Sequence, residues 1–87
     1  MFGQIEEEKL TGKKSKTYHI GEYCCYGTVK VTVKRNSVLT VSFYNYKTTK
    51  LQEEDYFDLA DRNAMMMYLE DNMSHYYADK IIKDFWI

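Results

Sequence analysis

Between Tyr23 and Tyr46 the chain reads YCCYGTVKVTVKRNSVLTVSFYNY, and apolar and polar residues alternate in it twice. Val29, Val31 and Val33 are interleaved with Lys30, Thr32 and Lys34, and Leu39, Val41 and Phe43 with Thr40, Ser42 and Tyr44. A period of two is that of a strand with one dry face and one wet face. The two runs must pair so that both apolar sets lie on the same side, because a slip of one residue moves a whole set into water. Matching Val33 to Leu39, Val31 to Val41 and Val29 to Phe43 meets that condition. It leaves Arg35, Asn36 and Ser37 as a three-residue loop, which Asn and Ser suit through local side-chain hydrogen bonds.

The same test applies upstream. Gly21-Glu22 fits a two-residue type II′ turn, with glycine at the first central position. Ile20 then faces Tyr23, Tyr18 faces Cys25, and both fall on the valine face. Strands are expected over 16–20, 23–34 and 38–47. Three strands with one apolar face need a cover, and the C-terminal third supplies the candidate.

From Ala60 onward the pattern is helical. Met65, Leu69, Met73 and Tyr76 share one face, and Tyr77, Ala78, Ile81 and Phe85 share another, turned roughly 150° away by the geometry of a helix. One straight helix cannot aim both faces at one sheet. A break near Asp71-Asn72-Met73-Ser74 resolves this, with Ser74 as N-cap of the last helix. Residues 51–59 are open between two readings. Thr49 with Gln52 has the spacing of a capping box, and Glu53, Glu54 and Asp55 suit a helix start. Alternatively a loop or short strand fills 55–59, and helix follows Asp58 or Asp61 as N-cap. The expected fold is α+β, a three-stranded antiparallel meander followed by two C-terminal helices packed on one sheet face. Residues 1–87 form a single domain, with 1–14 loosely ordered, 16–47 the meander and 51–87 the helical region.

The composition bounds the function. The 87 residues contain no run of about 18 apolar residues that would span a bilayer. The stretch MFGQIEEEKLTGKKSK has no apolar centre, so no secretory signal is expected there. Cys24 and Cys25 are adjacent and point to opposite faces of a strand, which disfavours a bridge between them and fits a reducing compartment. A metal site from Cys24, Cys25, His19 and His75 follows no familiar zinc spacing, and no metal or other cofactor is expected. Residues 1–50 carry nine Lys and Arg against four acidic side chains, whereas 51–87 carry three against nine. That asymmetry bears on partners rather than on fold.

Two surfaces are candidates for binding. Glu53, Glu54, Asp55, Asp58, Asp61, Glu70 and Asp71, with Asp79 beside them, display carboxylates that can imitate a row of phosphates. The competing role is solubility and helix-start stabilisation. The wet sheet face carries His19, Tyr26, Lys30, Lys34, Tyr44 and Tyr46, with Tyr26 opposite Tyr46 and Thr28 opposite Tyr44. Rings that stack on bases and cations that hold phosphates make a platform for single-stranded nucleic acid. Its competing role is a solvated face with cross-strand Tyr pairs. Met65-Met66-Met67 serves either as core filler or as an adaptable contact surface for a second copy. Trp86 and Phe85 are the expected anchors of the last helix. The sequence shows no pattern of an enzyme site.

A short Tyr-rich domain with a meander, terminal helices and the acidic stretch QEEDYFDLAD resembles the small inhibitors encoded by phages and mobile elements, of which the anti-CRISPR proteins are the best-known group. The resemblance implies a cofactor-free protein in the cytoplasm of a bacterial host. It would bind a host nuclease or its guide–ribonucleoprotein complex, often at the nucleic-acid site. Three functions therefore stand: an inhibitor acting through the acidic helical region, a nucleic-acid-binding module using the Tyr/Lys face, and an assembly protein forming a homodimer.

Overall fold

In the computed structural model of the chain the described residues are 9–23, 25–35 and 38–87, with backbone alone described at 22 and 23. The expectations placed on residues 1–8, Cys24, Asn36 and Ser37 lie outside them. The architecture is α+β, with one antiparallel sheet and two C-terminal helices. The sheet has four strands, not three: β1 (Ser15–Tyr23), β2 (Tyr26–Val33), β3 (Leu39–Asn45) and β4 (Leu51–Phe57), in the spatial order β1-β2-β3-β4. A 3-10 turn (Leu59–Asp61) leads into α1 (Arg62–Asn72), and α2 (His75–Phe85) follows.

The β2–β3 register is the one that the alternation dictates. Val33 pairs with Leu39, Val31 with Val41, Val29 with Phe43 and Thr28 with Tyr44. Val29, Val31, Leu39, Val41 and Phe43 are fully buried, together with Met65, Leu69, Ile81 and Phe85 from the helices. The helical break falls at Met73, and Ser74 is the N-cap of α2. Met65 is in the core, Met66 packs against it, and Met67 is exposed. Tyr76, expected to share the face of Leu69, is exposed instead, because the break carries it onto the outer side of α2.

Two turns differ from expectation. The chain reverses between Tyr23 and Tyr26 rather than at Gly21-Glu22. Tyr18 lies beside Val29 and Lys16 beside Val31, so β1 covers the β-branched part of β2. The shorter pairing of the expected turn would have left Val31 without a neighbour on that side. The positive φ of Gly21 (75°) is used in a bulge between His19 and Tyr23, where no side chain has to tolerate it. Tyr18 and Ile20 still fall on the buried face.

The second difference lies in 51–57: the segment is strand, which excludes the helix start at Thr49 and agrees with the other reading, a short strand with helix after Asp58 or Asp61, except that the strand begins at Leu51 and not at 55. Asn45 opens a tight turn: its side-chain oxygen accepts the N–H groups of Lys47 (2.8 Å) and Thr48 (3.0 Å), and its own N–H donates to the Lys50 carbonyl at 2.9 Å. Thr49 sits in this turn at φ 59° and is not a helix cap. β4 then pairs with β3 from Tyr44↔Leu51 to Leu39↔Phe57. Helix formation is delayed to Asp58, whose N–H donates to Asp61 Oδ2 at 3.3 Å, and Asp61 caps α1.

The described start of the chain is hydrogen-bonded to the end of α2. Leu10 forms a β-bridge with Trp86. The Thr11 N–H donates to the Phe85 carbonyl (2.9 Å), and the Ile87 N–H donates to the Lys9 carbonyl (2.8 Å). Trp86 is buried and donates its indole N–H to the Leu59 carbonyl at 3.3 Å. Across the sheet, Tyr18 donates to Asp84 Oδ2 at 2.7 Å, and Lys16 pairs with the same oxygen at 3.3 Å, fastening α2 over β1.

Two substitutions test this packing. Val31→Asp places an unpaired charge at the centre of the core, a cost of several kcal/mol against a total stability of about 5–15 kcal/mol. Its far-UV circular dichroism should be that of an unfolded chain at 25 °C, and a native-like melt would refute the register. Gly27→Ala builds a Cβ 2.8 Å from both Cα and Cβ of Tyr46. A clash against backbone should cost about 1–3 kcal/mol. Alanine at Gly12, where nothing lies within 4 Å, meets only the backbone strain of φ +98°.

Candidate functional site

The five acidic residues nearest β4 are carried by an edge. β4 is the last strand of the sheet, and its outer side pairs with no other strand among the described residues. Side chains alternate along it, so Glu53 and Asp55 fall on the helix side and Glu54 on the open side, flanking the free backbone edge. Asp58 and Asp61 continue the row through the 3-10 turn. All five are exposed. None of them is in an ion pair among the described residues.

The expected acidic helical surface is therefore corrected. Its first five members form a strand edge and turn. Glu70 and Asp71 belong to the last turn of α1, and Glu70 is engaged by His75 at 2.7 Å. The extent of this strand back to Leu51 leaves no mark in the sequence, because QEED carries no apolar alternation and acidic residues also suit helix starts.

Glu53 is the best-held of the row. Tyr26 donates to its Oε1 at 2.9 Å and Tyr68 to its Oε2 at 2.8 Å. Both phenols sit in an aromatic cluster in which Tyr26 stacks on Phe43 (4.5 Å between centroids) and Phe57 lies 5.3 Å from Tyr68. Burial, the hydrogen bond to Glu53 and the charges of Glu53 and Asp55 push the Tyr68 phenol far above its ordinary value. On the open side, Ser42 donates to Glu54 Oε2 (2.8 Å) and Tyr56 to Oε1 (2.9 Å). These two bonds and the charge of Lys34 hold the Glu54 carboxyl below the usual range.

The Tyr/Lys face is also altered. Tyr26 is not on it. It is buried on the helix side and lies opposite Asn45 rather than Tyr46. Gly27 is an extra residue in β2 between the pairs Tyr26↔Asn45 and Thr28↔Tyr44, and this bulge turns Tyr26 inward. An isolated glycine inside a strand pattern was the available signal. Lys30, Lys34 and His19 remain exposed on the open face, with Tyr44 half-buried. Tyr46 is exposed at the turn beneath the Lys47 ammonium, 5.7 Å from the ring centroid. β4 adds Leu51, Tyr56 and Glu54 to this face, which the reading of 51–59 could not foresee.

Among the described residues no group of three His, Cys, Asp or Glu is arranged to hold a metal ion. No helix of the described chain is long and apolar enough to cross a membrane.

The hydrogen-bonded phenols and carboxylates set the pH response. Tyr18 is raised like Tyr68, by burial and then by Asp84. Burial would raise Asp84 itself, but the bonds from Tyr18 and Lys16 and the charges of Lys16 and Lys80 outweigh it and lower the carboxyl. A raised phenol stabilises the fold below its ordinary value of 10.0 and loses that contribution as pH climbs past it. The lowered carboxyl of Asp84 stabilises above its ordinary 3.8 and loses its contribution below that. The melting temperature should thus fall on both sides of a neutral plateau. In a Tyr18→Phe/Tyr68→Phe variant the neutral melting temperature should be lower and the alkaline decline shallower. A variant with an unchanged alkaline slope would assign that limb to other groups.

No protein family, no curated protein and no solved structure matches this chain, so the functional reading rests on its own geometry.

Proposed function

We propose that the protein is a cofactor-free binding protein that occupies a basic groove of a nucleic-acid-handling complex, in the manner of an anti-CRISPR inhibitor. The contact surface is the acidic edge formed by Glu53, Glu54, Asp55, Asp58 and Asp61. The observation that carries this reading is the placement of five exposed carboxylates within nine residues, along a free strand edge and its turn, with none in an ion pair among the described residues. An unneutralised row of charge on rigid backbone steers a basic partner and resists displacement by water. Strand backbone beside it offers further hydrogen bonds to an incoming segment.

A second reading is supported by the open sheet face. The helices cover the opposite side alone, leaving Lys30, Lys34, Tyr44 and Tyr56 accessible to a single strand. The inward turn of Tyr26 and the carboxylate of Glu54 in the middle of that face weigh against it.

A panel of guide-loaded bacterial effector nucleases, assayed for target cleavage, separates the two. The variant Glu54→Gln/Asp55→Asn/Asp58→Asn/Asp61→Asn removes charge and keeps acceptor oxygens, and Glu53 is left to hold its two tyrosines. This variant should lose inhibition by about tenfold or more, with a flatter dependence on salt, because screening acts over about 8–10 Å near physiological ionic strength. Tyr44→Ala should inhibit like the parent chain. Inhibition that survives the charge removal and fails in Tyr44→Ala would move the site to the sheet face. Failure of the parent chain against the whole panel would sink the inhibitor reading.

A further inference from the structure

At the end of the sheet remote from the Asn45 turn, the segment after Leu10 meets the β2–β3 hairpin and borders a half-open cleft of about 320 Å³. Among the described residues its lining is Leu10, Gly12, Lys13, Lys14, Val33, Lys34 and Arg35. Four of these carry positive charge, two are apolar, and none is acidic. None of the four cations forms an ion pair among the described residues. The charge of Lys34 also reaches the Glu54 carboxylate on the open face.

The walls are held in place. The Val33 N–H donates to the Lys14 carbonyl at 2.8 Å, and the Lys34 N–H donates to the Val38 carbonyl at 2.7 Å. Thr11 is fastened to the end of α2 by its N–H and by its hydroxyl, which donates to the Asp84 carbonyl at 2.6 Å. Gly12 turns the segment at φ +98°, so that Lys13 and Lys14 return toward the hairpin. The backbone that carries these four basic residues is thus positioned by bonds in which their charged groups take no part.

We propose that this cleft binds a nucleoside diphosphate or triphosphate. Four cations exceed what a single phosphate group can neutralise and match a chain of two or three. Leu10 and Val33 supply an apolar patch for a base or similar flat group, and the volume is at the small end of ligand sites. The backbone of a nucleic acid needs cations spread along an open track, whereas these four basic residues line one cavity. The proposal is independent of the acidic edge, to which none of these residues belongs.

The test is calorimetric titration of the full chain at low salt with ADP, AMP, inorganic pyrophosphate and a ten-nucleotide single-stranded DNA. ADP should bind one to one. AMP, lacking the second phosphate, and pyrophosphate, lacking the apolar part, should each bind about tenfold more weakly. Lys34→Gln and Arg35→Gln should each weaken ADP binding by about tenfold, as loss of one charge-assisted contact does. Lys13→Gln/Lys14→Gln gives a second variant remote from the hairpin turn. Lys47→Gln, outside the cleft, should bind ADP as the parent does. No saturable binding of ADP, or binding indifferent to all four cations, overturns the site. Equal affinity for pyrophosphate overturns the nucleotide assignment. DNA bound more tightly than ADP through the same residues makes the cleft part of a nucleic-acid track and overturns it as well.

Discussion

The close approach of Gly27 to Tyr46 governs more of this molecule than any other contact. The two backbones meet where no side chain could stand between them, and that approach places one extra residue in β2. The bulge reverses the facing of Tyr26. Turned inward, Tyr26 stacks on Phe43 and brings its hydroxyl to Glu53. Tyr68 reaches the same carboxylate from α1, so one acidic side chain on the edge strand is tied at once to β2 and to the helical layer. A buried phenol needs a partner, and an edge carboxylate needs donors to be fixed in one place. Each requirement meets the other.

The two faces of the sheet have different physical characters. The helix-covered face is an apolar ladder closed by Met65, Leu69, Ile81 and Phe85. The open face has small hydroxyl residues at its centre, Thr40 and Ser42, which lie almost wholly beneath their larger neighbours. Ser42 is satisfied by Glu54, whereas the Thr40 hydroxyl has no hydrogen-bond partner among the described residues. A face with its smallest side chains in the middle and Lys30, Lys34, Tyr44 and Tyr56 around them is shallowly concave in chemistry, polar within and mixed at the rim.

The free edge of β4 answers a general hazard, since an unpaired strand invites pairing with its own copy. A row of carboxylates makes the edge repel another copy of itself. In the proposed function the same charge attracts a basic partner, so protection from self-association and binding would draw on one set of residues. At the other end of the chain, cations are gathered by backbone bonds from the Leu10–Trp86 bridge and the β2–β3 hairpin. The uneven charge of the two halves of the sequence thus becomes two separate features of the fold, an acidic edge and a basic cleft.

Much of this was legible in the residues. The alternation of Val29, Val31, Val41 and Phe43 defined the β2–β3 register, because a period-two pattern admits one register that keeps both sets dry. The clash between the helical faces of Leu69 and Ile81 located the break at Met73 and the cap at Ser74, since both depend on local geometry alone. The strand nature of 51–57 was legible only as one of two readings, a short strand or loop at 55–59. An edge strand need not bury a face, so LQEEDYF carries no alternation, and its pairing is decided by the free edge of β3 that the Asn45 turn delivers it to. The facing of Tyr26, the tie to Glu53 and the meeting of Lys13 and Lys14 with Lys34 and Arg35 were likewise settled by tertiary structure. Each joins segments far apart in the chain, and no local periodicity records which of them will meet.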